Sequence, residues 1–145
     1  MSEPSLHEWT PVWIRTAGEP AVDWSIVRTP LADPFFEQTA ARAMQHPFNL
    51  LFARETPLDV LLRDGALGSS AAPDGFVFHM SRCGSTLVAQ MLAALPSSIV
   101  VSEAQPLDAI LALRRADRLN DDAAAGALRG ALTALARPRR GERRL

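Results

Sequence analysis

The chain contains no lysine and no tyrosine, and all 15 of its basic side chains are arginine. A nucleotide-hydrolysing phosphate loop needs Gly-Lys-Ser/Thr, with the lysine reaching the β- and γ-phosphates. No such ATPase or GTPase site can be built from this sequence. Schiff-base lysine chemistry is excluded on the same ground. Cysteine is nearly absent. Cys83 stands alone, which rules out an internal disulfide and a cysteine-rich zinc site. Long apolar runs are missing too. The stretch Leu87 to Leu95 is interrupted by Gln90 and is far shorter than a bilayer span. The opening residues Met1 to Glu8 hold neither a basic flank nor an apolar run, so no signal peptide is visible. The expected location is the cytoplasm.

What is present suits one globular domain. A chain of 145 residues with 48% apolar side chains can bury a core. Charge is nearly balanced, 15 basic against 16 acidic groups. Its distribution is uneven, because arginine is concentrated in the tail Arg137-Pro138-Arg139-Arg140-Gly141-Glu142-Arg143-Arg144. Such a run fits a solvated linker better than a nucleic-acid contact. Neither nucleic acid nor membrane is expected as a partner.

Residues 1–34 carry prolines at 4, 11, 20, 30 and 34 and read as irregular. Within them, Trp9 to Ile14 and Val22 to Val27 form two short extended pieces, with the tryptophans pinning this arm to a core. Asp33-Pro34 is expected to open a helix to about Gln45, Asp33 capping it. Thr56-Pro57-Leu58-Asp59 is expected to open a second, capped by Thr56. Gly65 to Gly75 is rich in Gly, Ser, Ala and Pro and marks a boundary. Residues 1–70 are thus expected to be an arm and helices, and residues 71–145 the part that carries the chemistry.

Past the boundary the pattern changes. Phe76-Val77-Phe78-His79-Met80 is aromatic and β-branched and predicts a buried strand, in which His79 reads as a core histidine. Ser81 to Ser85 is polar with one glycine. Thr86 to Leu95 has helical spacing and is stopped by Pro96. Ile99-Val100-Val101 predicts a second strand. Strand, loop, helix and strand make a βαβ unit with parallel strands. Two more helices follow, Pro106 to Leu119 and Asp121 to about Ala136, the latter capped by Asn120 and weakened by Gly126 and Gly130. The expected fold class is α/β, a three-layer α/β/α arrangement of the P-loop type with a parallel sheet, incomplete at two strands.

The strand-loop-helix order aims backbone N–H groups and the positive helix end at one point. Gly84 permits close approach, Ser85 and Thr86 add hydroxyls, and Arg82 adds a permanent fork of donors. These parts favour a phosphate or sulfate. A cysteine-phosphatase loop fails, because the position six after Cys83 is Ala89 rather than arginine. A serine-hydrolase elbow fails, because Ser85 is flanked two residues away by Cys83 and Leu87 rather than glycines.

The run Ser81-Arg82-Cys83-Gly84-Ser85-Thr86-Leu87 after an apolar segment resembles the 5′-phosphosulfate-binding loop of sulfotransferases that use 3′-phosphoadenosine 5′-phosphosulfate (PAPS). It is most similar to the branch with Arg-Ser-Gly-Ser/Thr-Thr-Leu, which includes tyrosylprotein sulfotransferases and bacterial relatives. The resemblance is concentrated in residues 76–105. Cys83 departs from it, since the family more often has Ser or Thr there. The resemblance implies that Ser81, Arg82, Cys83, Gly84, Ser85 and Thr86 bind the donor and that Arg82 also stabilises charge on the leaving oxygen. Glu103 matches a glutamate that serves as base toward the acceptor hydroxyl. The acceptor, a small molecule or a peptide, is not readable, and no metal is implied.

The family's segment for the donor's 3′-phosphate, a strand ending in Arg with a helix-borne Ser, has no counterpart after Glu103. Together with the short sheet, this gives the expectation that the chain is the N-terminal portion of a sulfotransferase-like protein, with Gly141 to Leu145 entering a further strand. Two other classes stay open. One is a kinase-like P-loop protein with Arg82 in place of lysine. The other is a non-catalytic helical interaction protein.

Overall fold

The computed structural model describes residues 5–63, 65–68, 70 and 72–139. Its sheet is small, antiparallel and built from the first half of the chain. Strands β1 (Trp9–Arg15) and β2 (Ala21–Ile26) form a hairpin, and β3 (Arg54–Pro57) pairs antiparallel with β2, giving the order β1-β2-β3. The two extended pieces of the N-terminal arm are therefore paired strands. The register slips between Pro11 and Trp13. Proline has no N–H to give a ladder and is accommodated at bulges and on edges.

This sheet corrects the expected fold class. Among the described residues there is no parallel pair, and neither 76–80 nor 99–101 forms a strand. The apolar pattern predicts burial, yet Phe76, Val77, Phe78 and Met80 are all exposed, Phe78 at 92%. A short apolar run tells nothing about its pairing partner, and here no sheet reaches it. A three-layer parallel P-loop arrangement is not what this chain forms.

The helices follow the expected places more closely. They are α1 (Phe36–Met44), α2 (Pro47–Leu51), α3 (Ser85–Ala93), α4 (Gln105–Arg115) and α5 (Asp121–Leu135). Asn120 caps α5 as expected, its side chain accepting from Ala123 N at 2.8 Å. Asp33 does not cap α1. It accepts instead from Thr39 and Arg42, and the α1 entry is closed by Phe36 N donating to Ser102 O at 2.9 Å. Thr56 is not a helix cap either. It lies in β3, where its hydroxyl accepts from the Trp24 indole at 2.8 Å, and Leu58–Leu62 is one 3-10 stretch. Among the described residues no helix is long and apolar enough to cross a membrane.

The main core lies between the sheet and α4, α5 and the 3-10 stretch. Ile14, Val22 and Trp24 meet Leu58, Val60, Leu61, Ile110, Leu113 and the alanine stripe Ala124, Ala127, Ala131 and Ala134. Residues on both sides of position 70 thus share one core. A second cluster joins Val12, Val27, Leu31, Phe36, Ala104 and Leu135.

At Gly130, helix α5 runs very close to Leu61. A Cβ on Gly130 would stand 2.1 Å from Leu61 O, a backbone atom that cannot swing away. Gly130 therefore permits this packing rather than merely weakening the helix. A Cβ on Gly126 would meet only the tip of the Leu62 side chain, at 2.8 Å. Gly130→Ala is expected to lower unfolding stability by about 2 kcal/mol despite its better helix propensity. Gly126→Ala is expected to be neutral or to gain up to about 1 kcal/mol. Urea unfolding of the two variants checks the contrast.

Candidate functional site

The loop Ser81–Gly84 enters α3 through two left-handed residues. Gly84 has φ +87° and is the N-cap of α3, and Arg82 has φ +61°. The first is free for glycine. The second is costly for arginine, on the order of 1 kcal/mol. Leu87 and Val88 donate to Gly84 O at 3.0 and 3.3 Å, which closes the first turn. The N–H groups of Ser85 and Thr86, as first-turn donors, have no carbonyl within the helix. Space in front of Gly84 is open, with no atom within 4 Å of where a Cβ would stand.

The side chains match this openness. Ser81, Arg82 and Cys83 are exposed, and Ser85 and Thr86 are half-buried. Among the described residues, none of these five side chains has a hydrogen-bond or ion-pair partner. No carboxylate has been recruited to the Arg82 guanidinium, and no side chain caps α3. Cys83 is a free, exposed thiol. No group of three His, Cys, Asp or Glu could hold a metal among the described residues.

Glu103 is also left-handed, at φ +51°. Its neighbours explain how that conformation is held. Ser102 O caps α1, while Ala104 is 3% exposed and is the N-cap of α4. The chain is pinned on both sides, and the Glu103 side chain turns outward, 49% exposed. It does not cap α4, where no side-chain cap bond forms and the first-turn acid is Asp108. It lies 3.7 Å from His79 Nε2. His79 is therefore not a core histidine. It is an exposed residue at the end of the apolar run, facing the acid that was singled out as a base. The residue that approaches Glu103 is His79, three residues before Arg82.

Sequence reasoning missed two cavities, and neither is lined by residues 81–86. One, of about 460 Å³, lies among the end of β2, α1 and α2, with Ile26, Val27, Thr39, Arg42, His46 and Phe48 in its wall. The other, of about 330 Å³, lies where the chain enters β1 and leaves β2, and it includes Arg28, Arg137 and Arg139. The sequence of the arginine tail predicts a solvated linker. Its described part turns inward instead. Arg139 is 8% exposed, and Arg137 donates to the carbonyls of Leu6, His7, Trp9 and Leu67. Burial, with Arg139 close by, pulls the Arg137 guanidinium down to about 10. Proline after Arg137 was the available signal, since it ends α5 and redirects the chain. Arg140 to Leu145, including the expected further strand, lie outside the described residues.

Strain at Arg82 has a direct test. Arg82→Gly relieves the left-handed cost and Arg82→Ala keeps it. Hydrogen exchange is expected to show the first-turn amides of α3 about fivefold more protected in Arg82→Gly than in Arg82→Ala, as about 1 kcal/mol of local stability requires. No protein-family model, no curated protein and no solved structure matches the chain.

Proposed function

We propose that Ser81–Thr86 binds the 5′-phosphosulfate of PAPS and that the chain serves sulfuryl transfer to an acceptor hydroxyl. The observation that carries this reading is the left-handed backbone at both Arg82 and Gly84, immediately before α3, in a loop whose polar side chains are unengaged among the described residues. Strained backbone and unspent donors are kept where a ligand repays them. The reading rests on the loop and its residues, not on the fold of the surrounding sheet.

Each residue has a part. The N–H groups and hydroxyls of Ser85 and Thr86 hold the 5′-phosphate at the positive end of α3. Cys83 contributes its backbone N–H, since a thiol is a poor donor. Arg82 neutralises charge that grows on the bridging oxygen as the sulfur–oxygen bond breaks. Glu103 takes the proton of the acceptor hydroxyl as that oxygen attacks sulfur. His79, beside Glu103, orients the carboxylate.

One observation favours a second reading. Phe76, Phe78, Met80, Leu87 and Met91 all expose more than half of their surface. Apolar surface of this extent marks a protein-binding face, as in a non-catalytic interaction protein. Calorimetry separates the two. Adenosine 3′,5′-bisphosphate is expected to bind in the presence of a magnesium chelator, and Arg82→Ala is expected to weaken it about tenfold or more, the worth of a charge-assisted fork. Binding of ATP that needs magnesium, or binding of neither nucleotide by the folded protein, overturns the sulfotransferase reading.

A further inference from the structure

The 330 Å³ cavity at the sheet end has a composition unlike a structural void. Arg28, Arg137 and Arg139 line it, and Glu8 is the acid in its wall, with Thr10 supplying a hydroxyl. Such a concentration of like charge opposes folding unless something answers it.

Two of these cations, Arg28 and Arg137, meet no carboxylate among the described residues. Arg28 is exposed and has no hydrogen bond or ion pair there. Arg137 spends its terminal nitrogens on backbone carbonyls and has no carboxylate there, while its Nε is buried with no partner. Carbonyl dipoles hold the guanidinium in place without cancelling its charge. The lowered proton affinity of Arg137 has the same origin, burial beside Arg139. Arg139 donates to Thr10 Oγ1 at 3.3 Å and to Leu135 O at 3.0 Å, which fixes its fork in the cavity wall. The Arg137 and Arg139 guanidinium groups are therefore positioned before any ligand arrives, the condition under which arginine forks select oxyanions. The cavity is larger than a lone oxyanion, and Ile26 and Val27 give it an apolar side.

We propose that this cavity is a binding site for a small organic phosphate monoester, its phosphoryl group between Arg28 and Arg137 and its organic part against Ile26 and Val27. A monoester is near a dianion at neutral pH, which suits a wall of three arginines and one glutamate. A sulfate ester, with a single charge, fits less well. The site is separate from the Ser81–Thr86 loop and does not depend on its function.

Nuclear magnetic resonance titration with phenyl phosphate, phenyl sulfate and inorganic phosphate, at ionic strength held constant with chloride, tests the site. Phenyl phosphate is expected to shift the amides of Glu8 and Thr10 and the Nε–H of Arg137, binding more tightly than either other probe. Arg28→Gln, a surface change that leaves the core intact, is expected to weaken it about tenfold, one charge-assisted contact. Glu8→Gln is expected to tighten it. Equal response to phenyl phosphate and phenyl sulfate, a response that chloride reproduces, no effect of Arg28→Gln, or shifts confined to residues 81–87 would each overturn the proposal.

Discussion

One side-chain amide joins the sheet to everything that follows it. Strand β1 lies at the sheet edge, so Ile14, though 1% exposed, has a backbone that no neighbouring strand completes on that side. Gln105 completes it, its Oε1 accepting from Ile14 N at 2.8 Å and its Nε2 donating to Ile14 O at 2.9 Å. A buried peptide group left unpaired costs about 1–3 kcal/mol, so the contact fixes where α4 begins. Ser102 O, three residues earlier, caps α1, and Glu103 is held between these two anchors. Asn49 repeats the device on Ile26, accepting from its N–H at 2.9 Å and donating to its carbonyl at 3.1 Å. A three-stranded sheet this short depends on such substitutes, which also cover its edges.

The segment from Phe76 to Leu95 obeys a different economy. No residue of α3 is buried. The contacts that tie it to the body are few, among them Gln90 Nε2 donating to Ala32 O at 3.3 Å and His79 near Glu103. Regions with few buried contacts open at low free energy. An anion held by the α3 entry and Arg82, as proposed, would add bonds where the described residues supply none, so ligand binding and local ordering would be coupled at this loop.

The sequence disclosed local structure better than pairing. Asn120 with Asp121 and Asp122 announced α5, and the spacing of Leu87, Met91 and Leu95 announced α3, because caps and helical periods are written within a few residues. Sheet partners are not. Nothing near Arg54 indicates that it lies beside Trp24, and nothing in Phe76–Met80 reveals that it stays unpaired. The two extended pieces at 9–14 and 22–27 were legible within a proline-rich arm, but their pairing as the β1–β2 hairpin was not. Of the candidate site, the loop, its glycine and the helix it opens were legible. The left-handed backbone of Arg82 and Glu103 was not, since neither residue type favours that conformation. The inward arginines were hidden for a related reason: a charge run reads as solvated until the carbonyls it binds, from residues far apart in the chain, are seen together.

In the proposed function the entry to α3 receives the phosphosulfate end of a nucleotide. Amide-resolved nuclear magnetic resonance during titration with adenosine 3′,5′-bisphosphate, with no divalent cation present, addresses it at the level of single residues. The expected result is saturable shifts largest at the N–H groups of Ser85, Thr86 and Leu87 and at the Arg82 Nε–H. Shifts absent from these positions, or centred instead on Arg28 and Arg137, would contradict it.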